Sequence, residues 1–258
     1  MKKLLLAICI GIIPFLAVQA QTTDDKEKGN TTSPVDPKKK KPKPKKQDVI
    51  VLNFNWNGML NSPDSMSVSP FSRGFDFALM WDIPLGRSPM SFAAGLGLST
   101  ENIFMNAFLR DSAGGNSLYF QPIKPVINVD NPTTQRDWLK YKIATTIIEL
   151  PIEFRYRMKP HKRNTFKLAA GFKLGYVISN WDKYVGPDYR PGEDLNTSVK
   201  IKEYELVGVS RLRYSAFFRI GYSRFHLTGK YDFAPFFEPN KGINQGHVVT
   251  LGLCFTPF

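Results

Sequence analysis

Cysteine is nearly missing from this 258-residue chain: there are two, and Cys9 falls in an apolar leader. Cys254 is then left without a partner, which excludes a disulfide-stapled fold and makes it a small packing residue near the chain end. Histidine is scarce as well, three in all, and His161, His226 and His247 lack the spacing of metal ligands or of a catalytic triad. There is no glycine-rich phosphate loop and no nucleophile elbow. No cofactor is expected. Beyond the leader no stretch holds 18 consecutive apolar residues, which excludes transmembrane helices. Acidic residues are the minority, 22 against 35 Lys and Arg, for a formal charge of +13. A basic balance can serve nucleic acid, but a secretory leader turns the expectation to anionic lipid headgroups or acidic cell-wall polymers.

The leader is residues 1–20: Lys2 and Lys3, an apolar run to Val18, and Val18-Gln19-Ala20 as a cleavage site. Residues 21–48 are polar and then almost wholly Lys and Pro, too poor in apolar surface to bury a core, so a disordered, extended tail is expected. Its lysines Lys38, Lys39, Lys40, Lys41, Lys43, Lys45 and Lys46 make either a solvated leader or a tether to an acidic surface. Residues 49–258 remain for one domain.

That domain repeats one unit, clearest in the hairpin at 147–178. Ile148, Leu150, Ile152, Phe154 and Tyr156 alternate with Glu149, Pro151, Glu153, Arg155 and Arg157. After a polar turn at 158–165, Phe166, Leu168, Ala170, Phe172, Leu174, Tyr176 and Ile178 alternate with small or basic residues. Side chains on a strand point to opposite faces in turn, so each arm has one apolar and one polar face. Six further strands follow the same rule, at 49–60, 74–85, 90–99, 205–222, 225–233 and 246–255. Each is long enough to cross a hydrocarbon layer when tilted.

The connections alternate in length. Those at 86–89, 158–165 and 223–224 are short, and those at 61–73, 100–140, 180–204 and 234–245 are long. Trp81, Tyr156, Phe166, Tyr222, Phe225 and Phe255 gather at the short-turn ends, and Trp56, Phe75, Tyr176, Trp181, Tyr204 and Phe233 toward the long-loop ends. Two aromatic belts and alternating loop lengths are the pattern of an all-β, eight-stranded, antiparallel up-and-down transmembrane barrel of an outer membrane. A soluble barrel would put its apolar face inward and has no reason to sort aromatics into rings. The expected orientation has the tail in the periplasm and the long loops outside the cell.

Several segments carry a resemblance. Glu149-Leu150-Pro151-Ile152-Glu153-Phe154-Arg155-Tyr156 and Gly171-Phe172-Lys173-Leu174-Gly175-Tyr176 resemble the central hairpin of the PorT-type outer-membrane β-barrel family. Tyr231-Asp232-Phe233-Ala234-Pro235-Phe236-Phe237 and Thr250-Leu251-Gly252-Leu253-Cys254-Phe255 are similar to its closing strands. The resemblance implies an outer membrane of Bacteroidota type and a place in protein secretion through the type IX system, with other envelope proteins as partners.

An eight-stranded barrel is filled by side chains rather than open. Its polar face is expected to hold a lumen charge network of Asp76, Glu149, Glu153, Arg155, Lys173, Arg211, Arg213, Arg219, Lys230 and Asp232, because buried charges must pair. The excess of basic groups leaves a narrow anion-preferring channel as an alternative. A lipid-modifying barrel enzyme is another: His226 and Thr228 have the two-residue spacing of a His/Ser pair, but the strand phase turns them inward. The loop at 100–140 carries Phe104, Phe108, Tyr119, Phe120 and Trp138, which makes it either a partner-binding surface or a lid over the barrel mouth. The reading that results is a non-enzymatic scaffold or subunit of an envelope assembly.

Overall fold

The computed structural model describes residues 48–63, 65–86, 88–112, 117–127, 135–188, 197–239 and 241–257. The leader, and the tail with Lys38, Lys39, Lys40, Lys41, Lys43, Lys45 and Lys46, lie outside the described residues. Among the described residues thirteen strands occur in chain order: β1 Ile50–Leu60, β2 Arg73–Pro84, β3 Met90–Phe104, β4 Ala107–Asp111, β5 Leu118–Pro122, β6 Val126–Ile127, β7 Gln135–Arg136, β8 Lys140–Arg157, β9 Phe166–Pro187, β10 Ser198–Tyr204, β11 Leu212–Tyr222, β12 Phe225–Asp232 and β13 His247–Phe255. Eight of them close a ring in the order β1-β2-β3-β8-β9-β11-β12-β13, and β13 pairs back on β1 from Leu52↔Phe255 to Leu60↔His247. Every pairing is antiparallel, so the wall is an up-and-down barrel with no free edge within the ring.

The wall is apolar outside and polar inside. On β1, Asn53, Asn55 and Asn57 are buried while Phe54 and Trp56 are exposed. On β8, Glu149, Glu153, Arg155 and Arg157 are buried, and Ile148, Leu150, Ile152 and Phe154 are exposed. Such continuous exposed apolar surface far exceeds what a water-soluble monomer tolerates. It suits a hydrocarbon solvent, where only a closed hydrogen-bonded wall satisfies the backbone. Turns at the short end are compact: Ser223, in the two-residue link between β11 and β12, takes the left-handed backbone at φ 58°.

The long-loop end departs from a plain barrel. β3 and β8 run on beyond the ring's mean height, pairing as far as Phe104↔Lys142. β9 is 22 residues long and continues to Pro187 because β8 and β10 pair with its upper half on either side. Its pairing with β8 jumps from Ile147↔Val177 to Thr146↔Ser179, so Ile178 is the extra residue of a β-bulge. The strand expected at 205–222 is two features. β11 begins only at Leu212, and residues 205–211 leave the wall, with Val209 buried and bridged to Phe237. Leu206 there packs against the internal apolar cluster. The stretch 198–204, expected as loop, is the strand β10.

Candidate functional site

The candidate site is the interior, filled in two storeys. The lower one, toward the short turns, is ionic. Arg157 Nη2 donates to Asp82 Oδ2 at 2.8 Å, and Arg155 reaches Asp82 Oδ1 at 3.4 Å and the carboxylate of Glu153. Arg219 Nη2 binds Glu153 Oε1 at 2.7 Å, so Glu153 joins two strands across the lumen. Lys167 Nζ meets Asp48 Oδ1 at 2.7 Å, and Arg155 donates to the Asp48 carbonyl at 3.1 Å. The ends of β8 and β9 thereby converge on the chain entering β1.

Higher up, Lys173 Nζ lies 2.9 Å from both Asp76 Oδ2 and Glu149 Oε2. Asp76 also accepts from Ser99 Oγ at 2.7 Å, Asn55 Nδ2 at 2.9 Å and Asn53 Nδ2 at 3.4 Å, which uses its remaining lone pairs. Lys230 Nζ sits 2.7 Å from Glu101 Oε1 and 3.3 Å from Asp232 Oδ1. A void of about 30 Å³ bordered by Asn53, Asp76, Lys173 and Lys230 is large enough for a water and too small for a solute.

The upper storey is apolar. Tyr141, Ile143, Tyr184 and Val248 point in from the wall, and Met66, Phe120, Val209, Phe236 and Phe237 come in from the loops. Phe120 packs edge-on to Phe237 with centroids 5.2 Å apart, and Phe108 packs edge-on to Tyr141 at 4.9 Å. The β4–β5 hairpin is held down by the Leu118 N–H donating to the Lys241 carbonyl at 2.6 Å. Arg213 joins the storeys: Nη1 donates to the Pro235 carbonyl at 2.8 Å, and its guanidinium lies 4.6 Å from the Phe236 ring centre.

Of the expected network, Asp76, Glu149, Glu153, Arg155, Lys173, Arg213, Arg219, Lys230 and Asp232 face the lumen. Arg211 does not. Its backbone still pairs with Val177, but it precedes β11, where the chain returns from its excursion, and its exposed side chain hydrogen-bonds Tyr176 on the outer wall. Strict alternation from Arg213 fails there because Arg211 is not in the strand. Of the loop aromatics, Phe108, Phe120 and Trp138 pack in or against the apolar cluster, Tyr119 is exposed, and Phe104 stays on the outer wall at the end of β3. His226 and Thr228 are buried in the lumen, and Thr228 Oγ1 donates to the Gly252 carbonyl at 3.4 Å. Sequence reasoning missed Asp48, which it counted as the last residue of the extended tail but which is buried and paired with Lys167, and Glu101, which it placed in the loop; the run of β-branched and polar residues through 99–103 was the available signal for Glu101.

The chain is similar to known proteins in two comparisons. One solved structure it resembles is Ail, the attachment invasion locus protein of Yersinia pestis, in complex with the heparin analogue sucrose octasulfate. That likeness covers 80% of this chain and 95% of that one at 10% identity, with a TM-score of 0.30. No curated protein matches the chain. The family model of the outer membrane protein beta-barrel domain matches residues 45–237, which takes in the wall from β1 to β12 and most of the plug. With three-quarters of its length inside that match, the chain belongs to the outer membrane protein beta-barrel domain family and is a barrel of the outer membrane.

Proposed function

We propose that this outer-membrane barrel is a non-enzymatic scaffold or subunit of an envelope assembly, working through its ends rather than through its lumen. The supporting observation is that both storeys are filled, the lower by ion pairs and the upper by aromatic and aliphatic packing. An anion path would need unneutralised cations along a continuous opening, whereas Lys173 and Lys230 each face two carboxylates. A lipid-modifying enzyme would need its nucleophile on the lipid side, whereas His226 and Thr228 are turned away from it. The likeness of 149–156, 171–176, 231–237 and 250–255 to the PorT-type family makes protein secretion of the type IX kind the leading pathway, with long loops outside and tail in the periplasm. In that setting the tail lysines are a tether for an acidic cell-wall polymer or periplasmic partner.

Affinity purification from native membranes tests the assembly role. Co-purification of stoichiometric envelope proteins is expected, and recovery of the barrel alone after mild solubilisation sinks the reading. Conductance in planar bilayers is expected to be absent, and a steady large pore is incompatible with the filled lumen. Protease added to intact cells is expected to cut within 100–140 or 180–204; cutting confined to the short turns, such as 158–165, reverses the orientation.

A further inference from the structure

The outer wall carries a second charged feature that the lumen does not use. Register places Lys142 opposite Lys183, and Lys183 opposite Lys202, on three adjacent strands. Alternation turns all three outward, with Lys140 and Lys200 one step nearer the loops on the same face. Like charges directly opposite one another on a sheet are destabilising. Among the described residues none of these five ammonium groups has a carboxylate within ion-pair distance. The two nearby acids on these strands, Asp182 and Glu203, alternate to the opposite face; Asp182 there accepts from Tyr141 at 2.8 Å.

What the lysines do contact is aromatic. Lys202 Nζ lies 4.0 Å from the Trp181 ring centre and 4.3 Å from that of Tyr204, and Lys142 Nζ lies 4.6 Å from Trp181. Lys140 Nζ lies 4.9 Å from the Phe104 ring centre, and Lys142 donates to Asn102 Oδ1. One step below runs the register row Trp56, Arg73, Asn102, Ala144, Trp181, Tyr204, with Trp181 and Tyr204 directly beneath the lysines and Trp56 at its far end. Below that, the row Phe77, Leu98, Ile148, Tyr176 is exposed and apolar. Trp and Tyr girdles sit at the boundary between hydrocarbon and headgroups, so the lysine row stands at headgroup height.

We propose that Lys142, Lys183 and Lys202 form a seat for the phosphate of a membrane lipid whose acyl chains lie on the wall directly below. A phosphate group supplies the missing counter-charge and accepts from several ammonium groups at once. The seat's continuity with the apolar wall selects an anion that carries chains over one free in solution. Ordered lipid on this face covers β3, β8, β9 and β10, the part of the wall that rises highest.

The test uses the full-length barrel in a neutral maltoside detergent. Native mass spectrometry follows retention of phosphatidic acid, phosphatidylcholine of the same chains, and inorganic phosphate. Wild type is expected to retain phosphatidic acid about tenfold better than phosphatidylcholine, and K142Q/K183Q/K202Q to lower that preference to about twofold or less. K159Q/K162Q/R163Q, with equal charge removed from the short turn at the other end, is expected to behave as wild type. No preference in wild type, or equal loss in both variants, overturns the seat. Displacement by equimolar inorganic phosphate overturns the lipid as its source. Thermal midpoints separate binding from a structural role. Without anionic lipid the K142Q/K183Q/K202Q midpoint is expected to equal or exceed wild type, since repulsion is relieved, and a lower midpoint overturns the proposal. Phosphatidic acid is expected to raise the midpoint of wild type and leave that of K142Q/K183Q/K202Q in place.

Discussion

The lower lumen and the upper plug solve the same filling problem with opposite chemistry. Below, charges from β2, β8, β9, β11 and β12 are locked by directional contacts such as Glu153 with Arg155 and Arg219. Above, side chains from four loops and the upper wall interlock mainly through apolar packing, with a few hydrogen bonds at its border. Ion pairs in a dry interior fix register and are intolerant of losing one partner, because the other charge is stranded. Apolar packing is more forgiving, because neighbours relax part of the way into a cavity. The wall strands therefore hold the intolerant storey, and the loops hold the adaptable one.

The comparison breaks first at Glu153. Glu153→Ala leaves the buried Arg219 without its carboxylate and Arg155 with Asp82 but without Glu153, and a loss of about 3–5 kcal/mol is expected. Urea unfolding of the barrel folded into vesicles measures it, and a change under about 1 kcal/mol would show that Arg155 and Arg219 find other partners. Phe237→Ala, fully buried in the plug, is expected to cost about 3 kcal/mol, at the low end for an aromatic truncation because loops collapse more readily than strands. Its signature differs: faster proteolysis at 112–117 with hydrogen exchange in β1, β2 and β13 unchanged. If exchange accelerates equally in wall and loops, the storeys are one cooperative unit.

Smaller effects sharpen the boundary. Gly208 takes φ 83°, and a Cβ there would run into Leu118 Cδ1 of the β5 strand. Gly208→Ala is expected to cost about 1–3 kcal/mol from backbone strain and to loosen the β4–β5 hairpin selectively, read by cleavage at 112–117. Arg213→Ala removes the joint between storeys and is expected to cost about 1–3 kcal/mol. Arg211→Ala, two residues away and exposed, is expected to leave the unfolding midpoint unchanged. Equal effects at the two arginines would undo the assignment of Arg211 to the outer wall.

The ring was legible because a membrane wall enforces period two along every strand, and residues such as Asn53, Asn55 and Asn57 against Phe54 and Trp56 display it without interruption. Inward charges were legible for the same reason. Their partners were not: nothing local tells Lys173 of β9 that Asp76 of β2 will lie 2.9 Å away across the lumen. The plug was half legible, since the apolar 100–140 loop signalled burial but left a lid and a binding surface open. Phe108 against Tyr141 and Phe120 against Phe237 place part of it as a lid, while Tyr119 stays outside. Alternation failed where it was broken, at the excursion of 205–211 and at Ile178.

Ile178 gives β9 something like a reading frame. Up to Val177 odd-numbered residues face inward, and from Asn180 onward even-numbered ones do, so Asp182 and Tyr184 enter the plug while Trp181 and Lys183 face out. Deleting that single residue is therefore expected to be silent for the two faces: Val177 in, Ser179 out and Asn180 in then alternate without a break, every later side chain of β9 keeps its side, and only the bulge is lost.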